Sequence, residues 1–102
     1  MVITPEIILN AFKKIGLRPM QNITLSNGCC CAIMAVAMDN GYVGDCLTGA
    51  FDACRKAGYN QQDLVEISKG WDNIIPKEHA DWKLGNEAWD LCSRELLQTT
   101  CA

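Results

Sequence analysis

The fold is decided by the stretch Ser26–Tyr42, SNGCCCAIMAVAMDNGY, in which three consecutive cysteines precede a run of small and apolar residues. The wider span from Pro19 to Met38 contains no charged residue. Apolar residues recur there at helical spacing and continue around the whole circumference of the predicted helix. A helix that is apolar all round is a buried helix. We therefore expect this segment to form the central helix of the protein.

The three cysteines are predicted to lie at the start of this central helix. If Ser26 or Asn27 is the N-cap, Cys29 and Cys30 occupy the first turn. On such a helix Cys30 faces the core, Cys29 flanks the core, and Cys31 lies on a face of small residues that a neighbouring helix can approach. The cysteines are then packing groups, because small thiols are among the most buried side chains.

Four further segments show helical periodicity with recognisable starts and stops. The predicted helices run from Thr4 to Gly16, from Asp45 to Gly58, from Asn60 to Gly70, and from beyond Pro76 to about Thr99. Residues 17–27 suit a loop or at most a brief extended segment, so no substantial sheet is expected. The sequence thus predicts an all-α protein, with a single domain over residues 1–102. It is expected to be a compact bundle of about five helices around a buried helix rich in Cys, Ala and Met.

The composition is that of a folded protein without an electrostatic affinity for polyanions. Of the 102 residues, 49% are hydrophobic, and the formal net charge is −3. Nucleic acids and anionic membranes attract clustered Lys and Arg, so neither is an expected partner. No stretch approaches the roughly 18 apolar residues of a membrane span, and the start lacks the pattern of a signal peptide. We expect a cytoplasmic protein whose seven cysteines stay reduced.

Thiol catalysis is one chemistry that the cysteines could support. A cysteine in the first turn of a helix gains thiolate character, and His79 or a nearby Asp could complete the pair of nucleophile and base. The sequence Asn27-Gly28-Cys29 resembles the nucleophile region of papain-like and bacteriocin-processing cysteine peptidases. Those peptidases place their histidine on a strand of a following sheet, whereas the residues around His79 predict a helix start. The candidate thiol site therefore consists of Cys29, Cys30, Cys31 and His79, with packing as the favoured interpretation.

Metal binding and redox pairing are two further alternatives. Zinc needs four converging ligands, usually supplied as closely spaced pairs. Adjacent cysteines on a helix diverge by about 100° each, so at most one or two of the three could share a metal. We therefore predict no metal and no cofactor. In a redox interpretation, Cys101 near the C-terminal end is the free partner for a second cysteine, or else a spectator.

The aromatic and acidic residues are the candidates for partner binding. Trp71, Trp82 and Trp89 are large anchors, and such residues are frequent hot spots in interfaces. In a small bundle they are more often part of the core. The carboxylates at 81, 87 and 90 could form an acidic patch on the last helix, facing a basic protein or water. The predicted partner-binding residues are Trp71, Trp82, Asp81, Glu87 and Asp90.

A wider pattern combines the cysteine-rich helix with Gly70-Trp71-Asp72 and Asp81-Trp82-Lys83-Leu84-Gly85. This pattern resembles that of small bacterial and phage helical proteins, and the resemblance implies a helical fold and no activity. Within it, Gly70 is predicted to end a helix in a left-handed conformation. Gly85, inside a helix, is predicted to allow close approach of a neighbour, with the face of Cys31 and Ala35 as the candidate.

The function predicted from these features is that of a small cytoplasmic protein that binds another protein. Regulator, adaptor and inhibitor are the roles that fit, and a phage-encoded inhibitor is one example. No catalytic activity of its own is expected. The alternative is a thiol-dependent enzyme or a metal-binding protein centred on Cys29–Cys31. The partner's identity and the oligomeric state are left open.

Overall fold

The computed structural model describes residues 2–74 and 80–96, which form five α-helices and three two-residue strands. The helices are α1 Pro5–Ile15, α2 Ala32–Asp39, α3 Leu47–Lys56, α4 Gln61–Trp71 and α5 Ala80–Leu96. The strands, which lie between α1 and α2, are β1 Arg18–Pro19, β2 Leu25–Ser26 and β3 Cys29–Cys30. The predicted helical bundle is confirmed. The all-α prediction is wrong in the segment between α1 and α2, where the three strands form a sheet.

The central position of the helix predicted within the charge-free span is confirmed. In α2, the six residues Ala32–Ala37 are all buried, and the side chains of Met34, Ala35 and Ala37 are completely inaccessible. Helices α1 and α3 both pack on α2, and α4 contacts it as well. Over Ala32–Ala37 no side of the helix faces solvent, which is why the sequence of this part shows no polar face, and only Asp39 at its end is exposed.

The small sheet replaces the predicted first turn of the central helix. Strand β3 is its middle strand, and it pairs parallel with β1 and antiparallel with β2. Between β2 and β3, Asn27 and Gly28 have φ angles of 49° and 82°. Positive φ at both central residues is typical of the tight type I′ hairpin turn, for which Asn-Gly is the preferred dipeptide. Asn27 is therefore a turn residue and not a helix cap.

This turn moves the cysteines out of the helix. Cys30 pairs with Leu25 and Cys29 with Ser26 across the antiparallel ladder. Cys31 follows as the N-cap of α2, in an extended conformation with φ −80° and ψ 169°. The prediction that Cys29 and Cys30 occupy the first helical turn is therefore wrong, because the hairpin fixes them in a strand.

Two of the predicted helix starts are confirmed by side-chain caps. The Thr4 hydroxyl accepts a hydrogen bond from the Ile7 backbone N–H at 3.1 Å, and α1 ends at Gly16 with φ 75°. The Asn60 side chain accepts from the backbone N–H groups of the second and third residues of α4. Side-chain acceptors at this position satisfy N–H groups that have no partner inside the helix.

Two predicted helix ends differ from the structure. The N-cap of α3 is Cys46, one residue after the predicted Asp45. Gly70 does not end α4 in a left-handed conformation, since the helix continues through Trp71 and the C-cap is Asp72. A glycine inside a helix costs about 1 kcal/mol relative to alanine, so a packing reason is expected for Gly70.

The packing reason for Gly70 is the close crossing of α4 and α5. A Cβ atom at Gly70 would overlap the backbone carbonyl of Trp82, and one at Gly85 would overlap that of Ile67. The close approach predicted at Gly85 is present. However, its neighbour is α4, and the face formed by Cys31 and Ala35 on α2 is not involved.

Trp71, which is completely buried, joins three parts of the fold. Its ring stacks on Phe12 of α1 at 5.6 Å between centroids and meets Trp89 of α5 edge-on at 5.2 Å. Its indole N–H donates to the Met20 carbonyl at 2.9 Å, which fixes the loop after β1. The Gln21 side-chain amide also donates to the Trp71 carbonyl, at 2.8 Å.

Some predictions concern residues that the structure does not describe. Pro76, His79, Thr99 and Cys101 all lie outside the described residues. Within the described part of the chain, no helix combines the length and the apolar character that crossing a membrane requires.

Candidate functional site

The three cysteines of the candidate thiol site are buried. The local fold places two of them in a strand and the third at the start of α2. Cys29 and Cys30 are 1% and 0% exposed, and Cys31 is 6% exposed. Burial, together with the nearby Cys31 sulfur, raises the pKa of the Cys30 thiol from 9.0 to about 12. Burial also raises the pKa of Cys31, although backbone N–H groups at the start of α2 act in the opposite direction. A thiol with a raised pKa carries little thiolate near pH 7 and is a poor nucleophile.

Cys29 differs from its two neighbours because its sulfur is part of a disulfide bond. The expectation that all seven thiols are reduced is therefore wrong at Cys29, because it came from the predicted compartment and not from local geometry. Within the described residues, the free thiols are those of Cys30, Cys31, Cys46, Cys54 and Cys92. The fourth member of the predicted site, His79, lies outside the described residues. The structure therefore does not assemble a nucleophile and a base from the described part of this set.

The described residues also contain no set of side chains that could bind a metal ion. Over residues 2–74 and 80–96, no three His, Cys, Asp or Glu side chains converge in a way that could hold a metal ion. Cys54 is buried instead against α2, where its thiol donates to the Ile33 carbonyl at 3.7 Å. Burial raises the pKa of Cys54 and of Cys92 to about 12. These thiols act as small core side chains.

Cys46 is the exposed exception among the described cysteines. It is the N-cap of α3, and the backbone N–H groups of Gly49 and Thr48 lower the pKa of its thiol. A helix N-terminus stabilises the thiolate in this way. The sequence predicted the start of this helix one residue earlier, at Asp45. A cysteine next to a predicted helix start is the signal that could have identified Cys46.

The two predicted partner-binding tryptophans lie inside the protein. Trp71 is 0% and Trp82 is 5% exposed. Each indole N–H already has an acceptor, which for Trp82 is the Ile74 carbonyl at 2.6 Å. These side chains therefore build the core and present almost no area to a partner.

The predicted acidic residues of α5 are divided between two places. Glu87 and Asp90 line an open groove of about 390 Å³ between α1 and α5. Asp81 lies elsewhere, in a small pocket beside Asp63 of α4. The acidic patch predicted from spacing along α5 is thus two separate features.

The groove between α1 and α5, which we call the acidic groove, gains a third carboxylate from α1. Glu6, in the first turn of α1, faces the same space as Glu87 and Asp90. Asp90 also accepts from Arg94 at 3.1 Å, within α5. Arg94 itself lines the groove, and the other lining residues are Pro5, Asn86 and Leu91. The sequence alone does not predict the role of Glu6, because its proximity to Glu87 depends on how two distant helices pack.

A second surface feature is the connection between α2 and α3, residues 40–46, which we call the Val43 loop. The Val43 side chain is 93% exposed at its centre. The Tyr42 hydroxyl donates to the Cys46 carbonyl at 3.2 Å, across the base of the loop. The backbone N–H of Tyr42 donates to the Ala37 carbonyl at 3.0 Å. The loop is thus held at both ends while its apolar residue faces solvent.

Comparisons with protein-family models, curated proteins and solved structures found no match to this chain. The resemblance to small bacterial and phage helical proteins therefore stays a prediction. The same holds for the resemblance of Asn27-Gly28-Cys29 to cysteine peptidases. Function has to be inferred from the geometry of the described residues.

Proposed function

We propose that this protein acts in the cytoplasm by binding another protein, as a regulator, adaptor or inhibitor, and carries out no chemistry of its own. The observation that carries the proposal is the acidic groove. It brings Glu6 of α1 together with Glu87 and Asp90 of α5 around a partly apolar floor that includes Leu91. A surface of this kind suits a protein segment with basic side chains, since complementary charge steers association and fixes orientation.

The charge balance of the groove supports a basic partner. One of its carboxylates, Asp90, is offset by Arg94, whose guanidinium and carboxylate partner are both about two-thirds exposed. An exposed pair of this kind contributes little energy and is easily rearranged. Glu6 and Glu87 then leave the groove with a net negative charge. Neither nucleic acid nor an anionic membrane is compatible with that sign.

The alternative function, a thiol-dependent or metal-binding protein centred on Cys29–Cys31, has less support. Cys30 and Cys31 are buried thiols with raised pKa values, and Cys29 is part of a disulfide. A catalytic thiol would need an exposed sulfur with thiolate character. Rapid alkylation of Cys30 or Cys31 by iodoacetamide in the folded protein would support this alternative, and modification only after unfolding would argue against it.

The proposed function is tested by NMR titration of the ¹⁵N-labelled full chain. The probe is a short lysine–alanine peptide, and a glutamate–alanine peptide of the same length is the reference. We expect the lysine peptide to shift the amide signals around Glu6 and Glu87, and the glutamate peptide to leave them unchanged. The shifts should decrease as salt is raised, because the attraction between exposed charges is screened.

A matched pair of variants locates the binding. Glu6→Gln combined with Glu87→Gln removes two charges from the groove, and we expect weaker binding of the lysine peptide. Asp63→Asn combined with Glu95→Gln removes the same number of charges from exposed positions elsewhere. If the second pair weakens binding as much as the first, only net charge matters, and the groove is not the binding site.

A further inference from the structure

We propose that Cys29 forms a disulfide with Cys101, that this bond holds residues 97–102 across a groove beside Arg18, and that its reduction uncovers the groove. This inference goes beyond the proposed function and does not depend on it. It is carried by the bonding state of the cysteines, the surroundings of Cys29 and the position of the groove.

The first observation is the bonding state of the cysteines. The sequence contains seven of them. Within the described residues five are free thiols, whereas the sulfur of Cys29 is in a disulfide. Cys101 is the one cysteine of the sequence that lies outside the described residues. Within one chain it is therefore the partner that remains for Cys29.

The second observation is the surroundings of Cys29. Its side chain is buried, yet among the described residues it does not belong to the hydrophobic cluster that includes Cys30 and Cys31. Consecutive side chains of a strand point to opposite faces of the sheet. Cys30 packs in the core, so Cys29 lies on the other face of β3. That face is open to a segment from outside the core.

The third observation is the position of the groove, which we call the Arg18 groove. Arg18 of β1 pairs with Cys29 across the parallel ladder, so the two side chains lie on the same face of the sheet. Arg18 and Leu96, the last described residue of α5, both line an open groove of about 550 Å³. The chain after Leu96 therefore starts at this groove, and Cys29 lies beside its Arg18 side. The other lining residues are Phe12, Lys13, Gly16, Leu17 and Glu95.

The length of the segment is sufficient for the bond. Residues 97–101 span at most about 17 Å when fully extended. A disulfide separates its two Cα atoms by about another 5.5 Å. Helix α5 is in direct contact with β1, and β3 is the strand next to β1, at a spacing of about 4.8 Å. A chain that leaves α5 at Leu96 can therefore reach Cys29, and its path crosses the Arg18 groove.

The composition of the segment also suits this groove. Residues 97–102, Leu-Gln-Thr-Thr-Cys-Ala, carry no charged side chain. Phe12 and Leu17 give the groove an apolar part that Leu97 can cover. The charged side chains of the groove are of both signs, so they neither attract nor repel a neutral segment strongly.

The bond forms and breaks by thiol–disulfide exchange. With oxidised glutathione, the two cysteines lose two electrons and two protons, and the glutathione disulfide becomes two glutathione thiols. In the reverse direction a thiolate of a dithiol reductant attacks the Cys101 sulfur, since that of Cys29 is buried. Cys29 leaves as a thiolate and takes up a proton. The second thiol of the reductant then displaces Cys101 and closes the reductant to a disulfide.

The bond is tested by counting thiols on the full chain after incubation with oxidised glutathione and unfolding in excess iodoacetamide. Mass spectrometry should find a monomer in which five cysteines carry alkyl or glutathione, and seven after prior reduction. Cys101→Ser should show one more than the oxidised wild type, because Cys29 has lost its partner. The matched control Cys46→Ser, at an exposed position, should show one fewer. One fewer in Cys101→Ser, seven in the oxidised wild type, or a covalent dimer would overturn the inference.

The position of the segment is tested by NMR of the ¹⁵N-labelled full chain before and after a dithiol reductant is added. We expect the amide signals of residues 13–18 to shift on reduction, and those around Glu6 and Glu87 to stay unchanged. Cys101→Ser, prepared without glutathione, should already show the signals of the reduced wild type at residues 13–18. If reduction breaks the bond and leaves these signals unchanged, the segment does not cross the Arg18 groove and the inference is overturned. The peptide titration of the acidic groove tests the proposed function separately.

Discussion

Gly70 of α4 and Gly85 of α5 each lie against the backbone of the other's helix, so that the two helices cross without a side chain between them at these points. Gly70 faces the Trp82 carbonyl, and Gly85 faces the Ile67 carbonyl. The Asn86 side-chain amide adds a hydrogen bond to the Gly70 carbonyl at 3.2 Å. This crossing holds α5 at the distance where Trp89 can contact Trp71.

The first prediction concerns these two glycines. Gly85→Ala and Gly70→Ala should each lower the free energy of unfolding by about 1 to 3 kcal/mol, because the added methyl group overlaps backbone that cannot move as a flexible side chain would. In an exposed helix the same substitution stabilises by about 1 kcal/mol, so the sign of the change is diagnostic. Urea unfolding followed by circular dichroism measures it.

A suitable control on the same helix is Lys83→Ala, at an exposed position of α5. It should leave the free energy of unfolding within about 0.5 kcal/mol of the wild type. A stabilised Gly85→Ala protein would mean that α4 and α5 are not in close contact at this point.

The second prediction concerns alkaline pH. The pKa values of Cys30, Cys54 and Cys92 are raised from 9.0 to about 12 by burial. Above pH 9 the unfolded chain loses thiol protons that the folded protein keeps. Stability from these groups is therefore complete below pH 9 and declines up to about pH 12. Each thiol contributes a slope of about 1.4 kcal/mol per pH unit within that window.

The measurement compares slopes between variants, since tyrosine and lysine also titrate in this range. Cys54→Ala should reduce the decline of the unfolding free energy above pH 9 by about 1.4 kcal/mol per pH unit. Cys46→Ala, at an exposed position, should leave the slope there unchanged. All samples contain the same reductant. If Cys54→Ala and Cys46→Ala have the same slope, the Cys54 thiol is accessible to hydroxide in the folded protein.

Parts of this fold could be predicted from the sequence because their causes are local. The charge-free span around α2 predicted a buried central helix, and Thr4, Gly16 and Asn60 predicted helix ends through their capping chemistry. The acidic groove could not be predicted in this way, because Glu6 and Glu87 are 81 positions apart in sequence numbering and meet only through the packing of α1 on α5. The sequence also could not predict which helix lies against Gly85, because this too depends on how distant helices pack.

The hairpin before α2 is a different case. Its cause is local, but the same stretch of sequence also carries a signal for a helix. Asn27-Gly28 is a strong signal for a type I′ turn, but the apolar residues that follow also fit a helix that begins at the same place. The turn determines the outcome, because positive φ at both residues is incompatible with a helix start. As a result, the first two cysteines lie in a strand and only the third reaches the helix.

The third prediction tests this turn. Gly28→Ala should destabilise the protein by about 1 to 2 kcal/mol, because φ at this position is 82° and alanine is strained there, although there is space for its methyl group. Asn27→Gly should be nearly neutral, since glycine accepts the φ of 49° without strain. Thermal unfolding of both variants provides the comparison. A Gly28→Ala protein as stable as the wild type would argue against the hairpin.

The last prediction concerns acid pH and Asp72, the C-cap of α4. Its carboxylate accepts from the Asn22 backbone N–H at 2.8 Å, and partial burial raises its pKa above 3.8 despite this hydrogen bond. The folded protein therefore holds the proton more tightly than the unfolded chain. The resulting stability is complete below pH 3.8 and is lost as pH rises through the folded pKa.

Asp72→Asn keeps an oxygen for the Asn22 hydrogen bond and removes the titration. Between pH 3.5 and pH 6, the wild type should lose stability relative to the variant as pH rises, by a small amount because Asp72 is only half-buried. Urea unfolding at several pH values in this range measures the difference. If the wild type instead gains stability relative to Asp72→Asn, the hydrogen bond from Asn22 outweighs burial and the pKa of Asp72 is lowered in the folded protein.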